Sequence, residues 1–219
     1  MHYIPSLVGV AALLGQFGLA NAFESARVGN VIAHMADAGV DLRWQPIDDF
    51  GNEHLILDLA DYNFYEESLL ESGNVTDLVA VAPGGNLAVR ESATATCFGS
   101  GSWAKHATII GVAGVICDSF AYGLAEGTVQ IVRIWNDLNG NRLRNEANDP
   151  MMVYVRFVVG RTQVFTKDTC NQAVKTLVSK YCQGKNQDTR GGELTVKRSE
   201  GGETIGKIMV DPTTDNCNC

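Results

Sequence analysis

Asp168-Thr169-Cys170-Asn171-Gln172-Ala173-Val174-Lys175-Thr176-Leu177-Val178-Ser179-Lys180-Tyr181-Cys182 is the stretch that decides the fold. Ala173, Val174, Leu177, Val178 and Tyr181 recur at helical spacing and make one apolar stripe. Thr169 and Gln172 read as a capping box, and Gly184 as the stop. The two cysteines of one such helix cannot bond each other. At 1.5 Å per residue they stand about 18 Å apart, beyond the reach of any disulfide. Each must find a partner elsewhere, so this helix is tied down at both ends.

Segments on either side alternate between strand and helix signals. Thr128 to Trp135 and Met151 to Val159 read as strands, joined through the turn residues Asn136 to Asn141. Thr162 to Phe165 reads as a third strand or a continuation. Glu193 to Lys197 and Thr204 to Val210 read as a strand pair around Arg198 to Gly202. Ser102 to Phe120 is long enough for a helix, although its Val, Ile and Gly content also suits a buried strand. Upstream, Phe23 to Ala38 reads as a helix ended by Gly39, Glu53 to Leu59 as a strand and Tyr62 to Glu71 as a short helix. Leu78 to Ala82 reads as a strand. Pro83-Gly84-Gly85 reads as a turn, from which Asn86 to Arg90 pairs back. No internal repeat or low-complexity tract is apparent.

The N-terminus points outside the cell. Ile4 to Leu19 is apolar and ends in Ala20-Asn21-Ala22, a small-x-small pattern that predicts signal cleavage between Ala22 and Phe23. The stretch is shorter than the roughly 20 apolar residues that span a bilayer. Secretion gives meaning to the sequon Asn74-Val75-Thr76, a glycosylation site, and to the six cysteines. These are Cys97, Cys117, Cys170, Cys182, Cys217 and Cys219, an even set that allows 15 pairings.

Charge divides the chain where the cysteines begin. Residues 23–96 hold 13 acids against three Arg and no cysteine. Residues 97–219 hold 12 acids against 14 Lys or Arg. The expected organisation is a signal peptide over 1–22, an acidic cysteine-free segment over 23–96, and a disulfide-rich domain over 97–219. The acidic segment reads as a pro-region or a subdomain. The net charge of −8 argues against a nucleic-acid partner.

No catalytic, metal or cofactor signature is legible. Asp137, Asn139 and Asn141 invite a calcium reading. Their Gly140 and Asn148 stand where an EF-hand loop needs other residues, so a turn is expected. His34, His54 and His106 share no metal spacing, and Cys217-Asn218-Cys219 lacks the histidines of a zinc site. Cys97 to Ser102 resembles a phosphate loop without its Gly-Lys-Ser/Thr ending. Asp48-Asp49 and Glu66-Glu67 read as solvated faces. Ser100, Ser102 and His106 lack a Gly-x-Ser-x-Gly elbow. Lys197-Arg198 is a dibasic pair expected to stay uncut inside a hairpin.

Three segments resemble the killer protein 4 family of small secreted fungal toxins. Cys97-Phe98-Gly99-Ser100 is similar to its opening Cys-x-Gly-Ser, and Asp168 to Cys182 to its cysteine-flanked helix. Gly192-Glu193-Leu194-Thr195-Val196 is similar to its closing strand. The resemblance spans about 97–210. This chain lacks a short-spaced cysteine after the helix, and its acidic half has no counterpart in the toxin. The resemblance implies an α+β fold: a disulfide-stapled α/β sandwich with an antiparallel sheet and two antiparallel helices on one face, here preceded by the acidic α/β segment. If the helices near 103–120 and 169–182 pack antiparallel, Cys117 meets Cys170 and Cys97 meets Cys182. Cys217 and Cys219 are then left to each other or to another chain. The implied activity is growth inhibition through interference with calcium entry. The expected function is thus a secreted, non-enzymatic toxin-like or effector-like protein. It needs no cofactor and acts on a cell-surface target such as a membrane channel. An extracellular enzyme acting on wall polymers and a structural or lectin-like wall protein are the rival readings.

Overall fold

A computed structural model describes residues 27–71, 79–88, 91–99, 101–120, 124–160, 166–198 and 202–214. The signal cleavage site at Ala22 and Phe23, the sequon at Asn74, the Thr162 to Phe165 strand, and Cys217 and Cys219 lie outside the described residues. The elements in chain order begin with α1 (Val28–Asp37), β1 (Gln45–Pro46), β2 (Glu53–Asp58), α2 (Leu59–Glu71) and β3 (Val79–Ala88). Then come β4 (Glu91–Phe98), β5 (Ala104–Lys105), α3 (His106–Asp118), β6 (Thr128–Ile134) and β7 (Met152–Val159). The chain finishes with α4 (Lys167–Thr176) and its π-helical last turn (Leu177–Tyr181), β8 (Asp188–Thr189), β9 (Gly192–Lys197) and β10 (Thr204–Thr213).

The α+β sandwich is present, and it is stapled as expected. The main sheet runs β1-β2-β6-β7-β10-β9-β4-β3 with antiparallel neighbours throughout. A small β5–β8 ladder ties the start of α3 to the segment after α4. That contact, with Cys117–Cys170 at the opposite ends, makes α3 and α4 antiparallel. Cys97–Cys182 joins the end of β4 to the end of the π turn, with Cα atoms 5.3 Å apart.

Strand alternation builds two cores. Val153, Val155 and Phe157 of β7 face α3 and α4, together with Val132, Ile134, Leu194, Ile208 and Val210. Met152 and Tyr154 of β7 point the other way, with Ile131 and Met209, toward α1 and α2. Central strands buried on both faces explain why Met152–Val159 is nearly all apolar rather than alternating. The acidic segment therefore supplies more than a preface. It contributes β1, β2, β3 and most of β4, plus the helical layer over the second face. The composition boundary at 96/97 falls inside β4.

Local details correct several expectations. Thr166, not Thr169, caps α4: its extended backbone lets its Oγ1 accept the Thr169 N–H at 3.1 Å. The helix ends at Tyr181, where it was expected to end, but through a π turn in which Cys182 N–H reaches Leu177 O and not on Gly184. The helix expected from Ser102 begins at His106, because Ala104 and Lys105 pair with β8. Pro83 to Gly85 is no turn. β3 continues through it with a register shift between Ala82 and Gly85, a bulge on an edge strand where proline is tolerated.

Candidate functional site

Two five-residue loops of the same form, Asp48-Asp49-Phe50-Gly51-Asn52 and Asp137-Leu138-Asn139-Gly140-Asn141, build one end of the molecule. In each, the Asp carboxylate accepts from the backbone N–H groups two and four residues on, and from the closing Asn side chain. For Asp48 these contacts are Phe50 N at 2.9 Å, Asn52 N at 3.2 Å and Asn52 Nδ2 at 2.7 Å. For Asp137 they are Asn139 N at 2.8 Å, Asn141 N at 2.9 Å and Asn141 Nδ2 at 3.1 Å. Both loops turn on a glycine at positive φ, Gly51 at 84° and Gly140 at 76°. The loops are sewn together by the fully buried Asn52. Its Oδ1 accepts from Trp135 N and Asn136 N, and its Nδ2 donates to Asn136 O. Phe50 lies on Gly140, where an added Cβ would stand 2.9 Å from the ring.

The second loop forms one wall of a cleft of about 420 Å³. The opposite wall is α3, through Ala107, Thr108, Gly111 and Val112. The loop side presents Asp137, Leu138, Asn139 and Arg142 to Arg144. That volume falls within the range of ligand-binding clefts. On the α3 wall nothing lies within 4 Å of a Cβ added at Gly111, and beside the cleft only Leu138 Cδ1 approaches one at Gly114. Leu138 is 58 % exposed at the rim. Arg142 packs over Trp135 at 5.9 Å, and its partial burial lowers its pKa from the ordinary value. Arg144 donates to Asn148 O at 2.7 Å, using one of its five N–H donors. The Asn141 side-chain amide, together with the Asn141 and Asn139 backbone N–H groups, holds the Asp137 carboxyl below its ordinary range. Three hydrogen bonds from its own loop thus orient the Asp137 carboxylate.

A second charged cluster lies under α2. The buried Arg156 guanidinium meets Glu66 at 3.1 and 3.2 Å, bonds Glu193, and sits 5.3 Å from the Tyr62 ring centroid. Burial works against its charge, but Tyr62, Glu193 and Glu66 hold the guanidinium above its usual value. Burial pushes the Tyr62 phenol well up. The neighbouring pair Arg27–Asp211 is buried as well, with Arg27 over the Phe98 ring. These groups fasten helix to sheet.

The remaining sequence candidates are dispersed. Cys97, Cys182, Cys117 and Cys170 form the two bonds. His34 meets Ser68, His54 meets Gln130 and His106 meets Gln183, so the three histidines do not converge. Ser102 bonds Thr214, and Glu66 is taken by Arg156 rather than solvated. Among the described residues, no group of three His, Cys, Asp or Glu side chains is gathered as a metal would need. No described helix is long and apolar enough to cross a membrane. Asp137 and Asn139 were singled out in the sequence as a turn, but the cleft and its other lining residues were missed. Their signal was the repeated Asp-x-x-Gly-Asn pentapeptide and the small residues Ala107, Gly111 and Gly114 at helical spacing. Comparison with protein-family models, with curated proteins and with solved structures finds no match to this chain.

Proposed function

We propose that this chain is a secreted, non-enzymatic toxin-like or effector-like protein that acts at the surface of other cells, in the manner of the killer protein 4 family. One observation carries the reading. The three segments that resemble that family meet at a single point. The end of β4, the end of α4 and the start of β9 converge on the Cys97–Cys182 bond. Gly192, which opens the third segment, lies so close that an added Cβ would stand 2.3 Å from Thr96 O and 2.9 Å from Cys182 Sγ. The motif residues thus depend on one another for packing, which supports the resemblance beyond their order in sequence. A disulfide framework also suits an oxidising compartment.

The reading has the protein work by binding. Among the described residues that line the α3 cleft, the one carboxylate accepts hydrogen bonds from its own loop. Arginine, exposed leucine and bare backbone are recognition groups rather than an acid–base pair. The test adds purified, signal-free full-length protein to growing fungal and plant cells, because removal of 27–96 would take β2 from β6 and divide β4. Growth should slow without release of soluble sugar from wall polymers, and added calcium should relieve the effect. No slowing in any cell type defeats the reading. Sugar release with turnover favours a wall enzyme instead. Inhibition that calcium leaves unchanged keeps an effector but removes calcium entry as its point of action.

A further inference from the structure

The α3 cleft has a composition that selects its ligand. Its lining holds Arg142, Arg144, the Asn139 amide and the Thr108 hydroxyl, and Arg144 uses one of its five N–H donors on Asn148 O. The one carboxylate among its described lining residues, Asp137, already accepts three hydrogen bonds from its own loop. The cleft is therefore rich in donors and suits an acceptor-rich, anionic ligand. Arginine is also the side chain best shaped to grip a carboxylate through two parallel N–H groups. None of the described lining residues is aromatic, so among them no stacking platform for a sugar ring is present. An apolar anchor stands at the rim instead, the exposed Leu138 beside Gly114. Gly111 and Ala107 keep the α3 wall low enough for an extended backbone to lie against it.

We propose that this cleft binds an acidic peptide segment, with a carboxylate held by Arg144 at the mouth and a neighbouring apolar side chain seated against Leu138. This deepens the effector reading by naming the chemistry of its partner, and it rests on that reading only for its cellular consequence. The twin loops make the site rigid, since Phe50 and Asn52 brace the wall that carries both arginines. The whole chain carries −8, so long-range attraction is absent and recognition acts within the cleft, inside a Debye length of about 8 Å at physiological salt.

The experiment uses the disulfide-intact full-length protein and a fluorescein-labelled peptide of alternating glutamate and leucine, read by fluorescence anisotropy at physiological salt. The control peptide replaces every glutamate with glutamine, and polygalacturonate provides a carboxylate from an acidic sugar. The acidic peptide should bind at least about tenfold tighter than its amide twin, one to two charged contacts of roughly 1.4 kcal/mol per tenfold. Arg144→Gln and Gly111→Leu should each weaken it by a similar factor. Gly111→Leu fills the cleft from a helical position with open space around it, so thermal unfolding should show it still folded. Equal binding of both peptides, or binding unchanged in both variants, overturns the proposal. Binding of polygalacturonate without the acidic peptide transfers the site to sugars and overturns it as stated. Growth assays with the same variants separate the two readings. Peptide binding without growth inhibition leaves the cleft and removes the effector. Inhibition unchanged in both variants leaves the effector and removes the cleft.

Discussion

The two faces of one sheet hold their helices by different means. Over the first face, α3 and α4 bury a continuous apolar core, and two disulfides close loops with sequence separations of 85 and 53. Over the second, α1 buries Val28, Val31, Ile32 and Met35, but α2 fully buries only Tyr62. Charge supplies what apolar area does not. Glu66 of α2 reaches the buried Arg156, Glu53 reaches Arg133, and Arg27 at the start of α1 reaches Asp211. The uneven charge along the chain has a structural use here: two acids of the first half sit on two arginines of the second. Covalent closure stabilises by restricting the unfolded chain. A buried ion pair costs desolvation and holds only while each partner is present. The first face should therefore depend on its covalent closures, and the second should be sensitive to single changes of charge.

The largest effect should come from the covalent side. Replacing Cys117 and Cys170 by alanine, or Cys97 and Cys182, should cost about 4 kcal/mol per bond by loop-closure entropy. The readout is the unfolding free energy in urea extrapolated to water, with the slope fitted for each variant because the unfolded chain expands when a bond is removed. A loss below about 1 kcal/mol would mean that the apolar core alone fastens this face.

Next comes Arg156→Met, which leaves Glu66 and Glu193 beneath α2 without their guanidinium. A loss of about 3 kcal/mol is expected. Lys207, 3.6 Å from Glu193, keeps part of that charge balanced. Hydrogen exchange should rise in 59–71 before 106–118. The triple variant Arg156→Met, Glu66→Leu, Glu193→Leu should recover most of the stability, because no unpaired charge remains. A triple variant as weak as the single one would deny that the charges fasten this layer.

Thr166→Ala should cost about 1 kcal/mol through loss of the α4 cap, whereas Gln172→Ala should change stability little. The reverse result would restore Thr169 and Gln172 as the capping pair.

The smallest effect is a pH dependence at the β2 edge. Gln130 Nε2 donates to Ser119 O at 2.7 Å, which fixes the amide, so at 2.8 Å the His54 Nδ1 must accept and the ring is neutral. Burial lowers the His54 pKa below 6.5. Its contribution is complete above the unfolded value and is lost as pH falls through 6.5 and then the folded pKa. Urea midpoints from pH 7.5 to 5 should decline in the native chain and decline less in His54→Gln. Equal decline in both would place the acid sensitivity elsewhere.

Much of the first face was legible in the sequence. The Ala173 to Val178 stripe, the β6 and β7 runs, and the pairing of the four helix-associated cysteines all follow from short-range spacing plus one assumption of antiparallel packing. Periodicity is a local property, and the two cysteines of a rigid helix cannot meet. Where two local signals competed, sequence reasoning chose wrongly. Thr166 and Thr169 stand three apart, either could cap, and only the backbone at Thr166 decides. The second face was beyond local reading. Glu66 looked solvated because its partner Arg156 lies 90 residues away, and Arg27 meets Asp211 across 184. The cleft was hidden for the same reason. Its walls come from α3 and the loop after β6, and that loop is braced by Phe50 from far upstream. Spacing along the chain determines which side of an element is apolar. Which element covers it, and which charge meets which, depends on contacts between distant residues, and these exist only once the sheet has assembled.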